Sequence, residues 1–226
     1  MKTVHTFHIS HGLLRRFPLL LLLLGAVLMT ACSESDNDVD EYADWQNRNQ
    51  EWFTNLYNAT RQKVASGDAS WKIIKVYSRN DDVVGSPDDY IIVHVLNEGT
   101  GSGCPLVSDT VRVHYRGRLI PTVSYAEGKV FDQSFSGDYN LLMMTPVKLG
   151  VSNVVDGFAT ALINMHIGDR WEVYIPQKLA YGSSSSSGSV PAYSNLIFDL
   201  TLAAYYHPGQ PVPDWKAGDA FWEPEE

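Results

Sequence analysis

Only two of the 226 residues are cysteine, Cys32 and Cys104, so the chain can form at most one internal disulfide, and packing must carry its stability. Several catalytic signatures are also missing. There is no paired-cysteine metal spacing, no His-Glu-x-x-His, no Gly-x-Ser-x-Gly elbow and no glycine-rich phosphate loop before a helix. His94, His114, His166 and His207 are too scattered in sequence to suggest a metal centre. Hydrolase chemistry therefore has no residues to support it, and neither a metal nor a cofactor is called for. Basic residues are scarce beside acidic ones, 17 against 26, giving a formal charge of −9. Such a body is repelled by a phosphate backbone, so nucleic acid is not an expected partner. What is abundant is apolar and aromatic character, 44% and 12% of residues, which is ample for a packed core.

No apolar run reaches the roughly 20 residues that a membrane-spanning helix needs. The longest runs from Leu19 to Leu28 behind Lys2, Arg15 and Arg16, which is the pattern of an export signal. It closes on Leu28-Met29-Thr30-Ala31-Cys32, which resembles the bacterial lipobox, whose cysteine is diacylated and becomes the mature N-terminus. The expectation is a signal peptide over 1–31, a lipidated Cys32, an acidic tether over 32–40, and anchorage in a bacterial cell envelope, on the periplasmic face or the outer surface of the outer membrane. An ordinary secreted chain is the competing reading. Acyl chains add roughly 0.8 kcal/mol of membrane affinity per buried methylene, so a lipid serves where charge cannot. Removing residues 1–31 takes away three basic residues and no acid, which moves the charge from −9 to −12. Cys104, in Gly101-Ser102-Gly103-Cys104-Pro105, reads as a small residue at a turn.

Trp45, Trp52, Leu56 and Ala59 recur at helical spacing between Glu41 and Val64, and Ser66-Gly67-Asp68 ends the pattern, predicting an N-terminal helical segment over 41–70. Its apolar stripe packs on the following domain, pairs two copies, or grips a client. Strands are predicted at Trp71–Tyr77, Tyr90–Leu96, Thr110–Leu119, Val147–Leu149, Arg170–Ile175 and Leu196–Ala203, with one helix between Gly157 and Met165. Many short strands around one helix predict an α+β domain over 71–206, an antiparallel twisted sheet wrapped on one short helix. Residues 207–226 form a tail with Pro208, Pro211, Pro213 and Pro224, predicted to be extended.

Five motifs follow one another in order: Val111-Arg112-Val113-His114-Tyr115-Arg116-Gly117, Val130-Phe131-Asp132-Gln133-Ser134, Val154-Val155-Asp156-Gly157-Phe158, Leu179-Ala180-Tyr181-Gly182 and Leu196-Ile197-Phe198-Asp199-Leu200. Each aromatic alone is the kind of residue that fills any β-rich core. Together, over 90–206, the set resembles the FK506-binding (FKBP-type) family of peptidyl-prolyl cis-trans isomerases, in a bacterial lipoprotein form. The resemblance implies proline-containing polypeptide clients and macrolide inhibitors as candidate ligands. It also implies a pocket in which Tyr115, Phe131, Asp132 and Tyr181 act on the substrate while Val154, Val155, Phe158, Val190 and Phe198 bind it. Phe158 is the implied floor, the Val155 N–H bonds a ligand carbonyl, and the Tyr181 hydroxyl donates to the substrate carbonyl. Asp132 needs a hydrogen-bond partner, and Tyr115 or Arg116 can serve. His114 reads as a satisfied core histidine.

The chain departs from the family pattern at four places. Phe158 stands where tryptophan is usual, and Thr145 replaces a wall aromatic. The stretches 121–128 and 135–144 are long, and a serine tract, 183–187, with Gly188 lies where a loop overhangs the pocket. These changes weaken binding more than catalysis, since an aromatic pair contributes on the order of 1 kcal/mol beyond burial. The expectation is an active isomerase, with a catalytically weak or inactive binding or chaperone module as the alternative.

Overall fold

The computed structural model describes residues 40–79, 82–186 and 188–216. The expected signal peptide, Cys32, nearly all of the tether and the end of the tail lie outside them.

Alternating apolar residues fix the sheet first. In Arg170–Ile175 (β6) the side chains of Trp171, Val173 and Ile175 are buried and those between are partly exposed, the period-two pattern of a strand with one dry face. The remaining strands are Trp71–Lys75 (β1), Tyr90–Asn97 (β2), Thr110–Arg118 (β3), Val130–Gln133 (β4), Val147–Gly150 (β5) and Leu196–Tyr206 (β7). Every pairing is antiparallel, in the order β1-β2-β6-β7-β3-β4, and β5 joins β3 beside β4. Residues 110–113 of β3 pair with β5 and residues 116–118 with β4, so one strand supports two short ones. The sheet is not closed into a barrel.

The concave face holds Asp156–Leu162 (α2), in which every residue from Gly157 to Leu162 is buried. Contact here is close enough that a Cβ on Gly157 would lie 2.3 Å from Ile175 Cγ2. This is the α+β arrangement predicted from sequence.

The opposite face is covered too. Trp45–Ala65 (α1) lies against β1, β2 and β6, with Trp52 6.0 Å from the Tyr174 ring and Lys63 Nζ 3.7 Å above Trp71. Its buried residues are Trp45, Asn49, Phe53 and Thr60, whereas Ala59, expected on the stripe, faces solvent. A hydrophobic pattern misses this face because Asn49 is polar, and it is buried with both side-chain polar atoms bonded. Farther along the same face the segment after β4 folds back, with Phe135 and Tyr139 edge-on to His114 and the Tyr139 hydroxyl 2.9 Å from Thr201 Oγ1. With cover on both sides, all of β7 but Asp199 is buried, as a central strand should be.

His114 corrects the sequence reading. It is buried, but neither ring nitrogen has a hydrogen-bond partner among the described residues. Cys104 is a partly buried free thiol, pushed up in pKa by burial and then by Asp169, which suits an inert small residue. The described part of the tail docks on β3: Arg112 Nη2 donates to the Pro213 carbonyl at 2.6 Å, and its guanidinium lies 5.6 Å from the Trp215 ring.

Candidate active site

β3 places alternate side chains on the concave face, so Val111, Val113 and Tyr115 point inward and Gly117 follows in the same row. Gly117 leaves space that its neighbours fill: a Cβ there would meet Phe131 Cζ at 2.6 Å and Phe198 Cε1 at 2.7 Å. The Tyr-x-Gly motif is thus a bare patch of backbone on which two aromatic walls rest. Phe131 comes from β4 opposite, Phe198 from β7 alongside and Phe158 from α2, whose first turn begins where Val155 leaves extended backbone at φ −62° and ψ 150°.

These rings meet edge to face. Phe158 and Phe198 have centroids 4.9 Å apart at 80°, Phe131 and Phe198 5.6 Å at 86°, and Tyr115 stands 6.0 Å from both Phe158 and Phe198. The geometry is the attractive one for aromatic quadrupoles. It encloses a cavity of about 260 Å³ lined by Tyr115, Phe131, Asp132, Val154, Val155, Phe158, Tyr181 and Phe198, with Leu149 and Asn153.

The polar side chains of the lining are Tyr115, Asp132, Asn153 and Tyr181. The Tyr115 hydroxyl donates to Asp132 Oδ2 at 2.8 Å, and Asp132 Oδ1 accepts the Gln133 N–H at 2.8 Å, so both carboxylate oxygens are engaged. Arg116, the other expected partner, turns away to Gln133 Oε1 at 3.0 Å and the Gly137 carbonyl at 2.6 Å. Burial pushes the Tyr115 phenol well above its usual pKa, and the hydrogen bond and charge of Asp132 push it the same way, so Tyr115 stays protonated. Tyr181 is more than a third exposed. It follows the short turn Gln177–Leu179, and Gly182 behind it takes φ 59°.

Eight of the nine pocket residues expected from sequence thus line one cavity. Val190 does not: it is buried in the core and pairs with Ser186 through N–H to carbonyl bonds of 3.2 and 3.0 Å, because the serine tract folds back on itself. Thr145 is exposed and absent from the lining. Two residues were missed. Leu149 was legible as an inward position of β5, whereas nothing in the sequence singled out Asn153, in the turn Val151–Asn153.

Comparison with known proteins decides the relationship. Residues 103–203 match the family model described as FKBP-type peptidyl-prolyl cis-trans isomerase. The chain carries an FKBP-type domain. The FKBP-type 22 kDa peptidyl-prolyl cis-trans isomerase of Escherichia coli is 37% identical over 119 residues, 53% of this chain and 52% of that protein. The macrophage infectivity potentiator of Trypanosoma cruzi is 35% identical over 121 residues, covering 54% and 55%. A crystal structure of a peptidyl-prolyl cis-trans isomerase from Pseudomonas syringae is 26% identical, with a TM-score of 0.44 over 67% of this chain and 94% of that one. The chain spans about half the length of the curated relatives it matches. Within the FKBP-type domain all of the cavity residues fall between Tyr115 and Phe198, inside the matched segment.

Proposed function

We propose that this protein is a peptidyl-prolyl cis-trans isomerase that acts on Xaa-Pro bonds of exported polypeptides while anchored to the cell envelope through lipid on Cys32. One observation carries the catalytic part: the edge-to-face rings of Tyr115, Phe131, Phe158 and Phe198 line one cavity together with Leu149, Val154 and Val155.

Rotation about an Xaa-Pro bond breaks no bond. Amide resonance sets the barrier, roughly 18–20 kcal/mol. A planar amide is more dipolar than a twisted one, so transfer from water to an aromatic cavity disfavours the planar ground state more than the twisted transition state. In this reading Phe131, Phe158 and Phe198 exclude water around the prolyl ring, and Val154 and Val155 flank it. Tyr115 is held by Asp132, which fixes one wall. Tyr181 donates its hydroxyl to the carbonyl of the residue before proline, and the apolar mouth favours an apolar residue there. Macrolides are candidate inhibitors of the same cavity. The relatives named as isomerases support this reading over that of a binding module.

The test is the cis-to-trans relaxation of a Leu-Pro peptide. Phe131→Ala is expected to abolish most of the acceleration, and an unchanged rate would sink the site assignment. Tyr181→Phe removes one neutral hydrogen bond, so kcat/KM should fall about 2- to 10-fold. Anchoring is supported by the lipobox-like run ending at Cys32. Among the described residues no helix is long and apolar enough to cross a membrane. A mass spectrum of the membrane fraction should show Cys32 as an acylated N-terminus; an unmodified Cys32 refutes the anchor.

A further inference from the structure

The turn bearing Tyr181 is held by hydrogen bonds that lead back to α1. Gly182 N–H donates to the Gln177 carbonyl at 2.8 Å, and Tyr193 N–H donates to the Gly182 carbonyl at 2.7 Å. Tyr193 does so at φ 62°, a left-handed conformation rare for a bulky residue, which persists only where surrounding contacts over-determine it. Two residues farther along, Asn195 ties down the same segment. Asn195 Oδ1 accepts the Gln177 N–H at 2.8 Å. Asn195 N–H then donates to Asn49 Oδ1 at 2.7 Å, and Asn195 Nδ2 donates to the Asn49 carbonyl at 2.6 Å. Asn49 Nδ2 is satisfied by the Trp45 carbonyl at 2.7 Å. One helical turn earlier, Trp45 Nε1 donates to Ser194 Oγ at 2.8 Å, and that hydroxyl donates to the Pro191 carbonyl at 2.7 Å.

Asn49, Asn195 and Ser194 are 0%, 1% and 3% exposed, so this is a buried network in which both polar atoms of each asparagine side chain are used. A helix that only had to cover a sheet would place an apolar residue at position 49, which packs without a polar group to satisfy. A fully bonded carboxamide pair specifies one relative geometry. Here it does so where the helix meets the Ser194–Asn195 end of the segment that carries Tyr181, and Asn195 in turn bonds the Gln177 end.

We propose that Asn49, with Trp45, is a positioning residue for Tyr181. α1 clasps the Ser194–Asn195 root of that segment, Asn195 carries the hold on to the Gln177 root, and the hydroxyl is thereby held over the cavity. The helix is thereby part of the catalytic apparatus although none of its residues lines the site. The proposal rests on the reading of Tyr181 as the substrate donor.

The experiment uses the mature chain carrying Asn49→Ala or Ser194→Ala, each alone and combined with Tyr181→Phe, with kcat and KM measured on a Leu-Pro peptide. Amide hydrogen exchange is followed at Gly182, Tyr193 and Phe158. Asn49→Ala should lower kcat about 2- to 10-fold when Tyr181 is present and leave it nearly unchanged when position 181 is Phe, since the lost effect is that of one hydrogen bond. Exchange at Gly182 and Tyr193 should accelerate about tenfold while Phe158 in α2 keeps its wild-type rate. Equal losses in both backgrounds, or unaltered exchange at Gly182 and Tyr193, overturn the proposal. If Tyr181→Phe alone is silent, the reading of Tyr181 falls and the catalytic half of the proposal with it; the exchange rates then still decide whether α1 holds the segment. Should Asn49→Ala fail to fold, Ser194→Ala, which removes a single hydroxyl, is judged by the same readouts.

Discussion

An imidazole buried against Phe135 and Tyr139 with no partner for either nitrogen among the described residues is a stability liability, and burial lowers the His114 pKa. The folded state therefore prefers it neutral. Stability from this site is present above its unfolded pKa, near 6.5, and is lost as pH falls through the lower folded value. His114→Phe is expected to be neutral or stabilising and to flatten the stability curve below pH 6.5, measured by urea unfolding at several pH values. Nothing in Val113-His114-Tyr115 distinguishes such a histidine from a bonded one, because its neighbours arrive from a loop some twenty residues later. The pocket was easier to read. Tyr115, Phe131, Phe158 and Phe198 were read from the order of five motifs and the family they resemble, not from periodicity, and the short strand that carries Phe131 was not among those predicted. Val190, implied by the resemblance as a binding residue, is buried in the core and is absent from the lining of this cavity.

At the level of elements, β6 was legible to the residue because its two faces differ, and β7 was read three residues short because both of its faces are covered. α1 was legible as a helix but not in its orientation, since half of the face it buries is polar, Asn49 and Thr60. Phe53, at 1% exposure, is the large apolar contact on that face. Phe53→Ala should cost about 3–5 kcal/mol of unfolding free energy, read from the urea midpoint. A loss below about 1 kcal/mol would mean that the helix is a loose appendage. The long stretch after β4 was seen only as an excess of residues, yet it covers the sheet through Phe135 and Tyr139, with the Arg170 guanidinium 4.4 Å from the Tyr139 ring.

Across the whole molecule, stronger acid, at lower pH than for His114, acts through Asp89. Burial raises its pKa, but the Ser86 N–H and hydroxyl and the charges of Lys178 and Arg79 outweigh burial and hold it below the ordinary 3.8. Its contribution is present above the unfolded aspartate pKa and disappears as pH falls through the lower folded value. Asp89→Asn should therefore lower stability at neutral pH and shrink the acid-induced loss, followed by circular dichroism. The strand order carries a different consequence. β1, β2 and β6 form one ribbon and β3, β4 and β5 another, and among the described residues only β7, the last strand described, joins the two within the sheet. A nascent polypeptide halted before Leu196 holds two half-sheets with nothing between them. Compaction must then wait for synthesis to pass Tyr206, and a chain truncated at Asn195 should stay protease-sensitive, whereas one ending at Lys216 resists. Until its final strand emerges, such a polypeptide remains threadable.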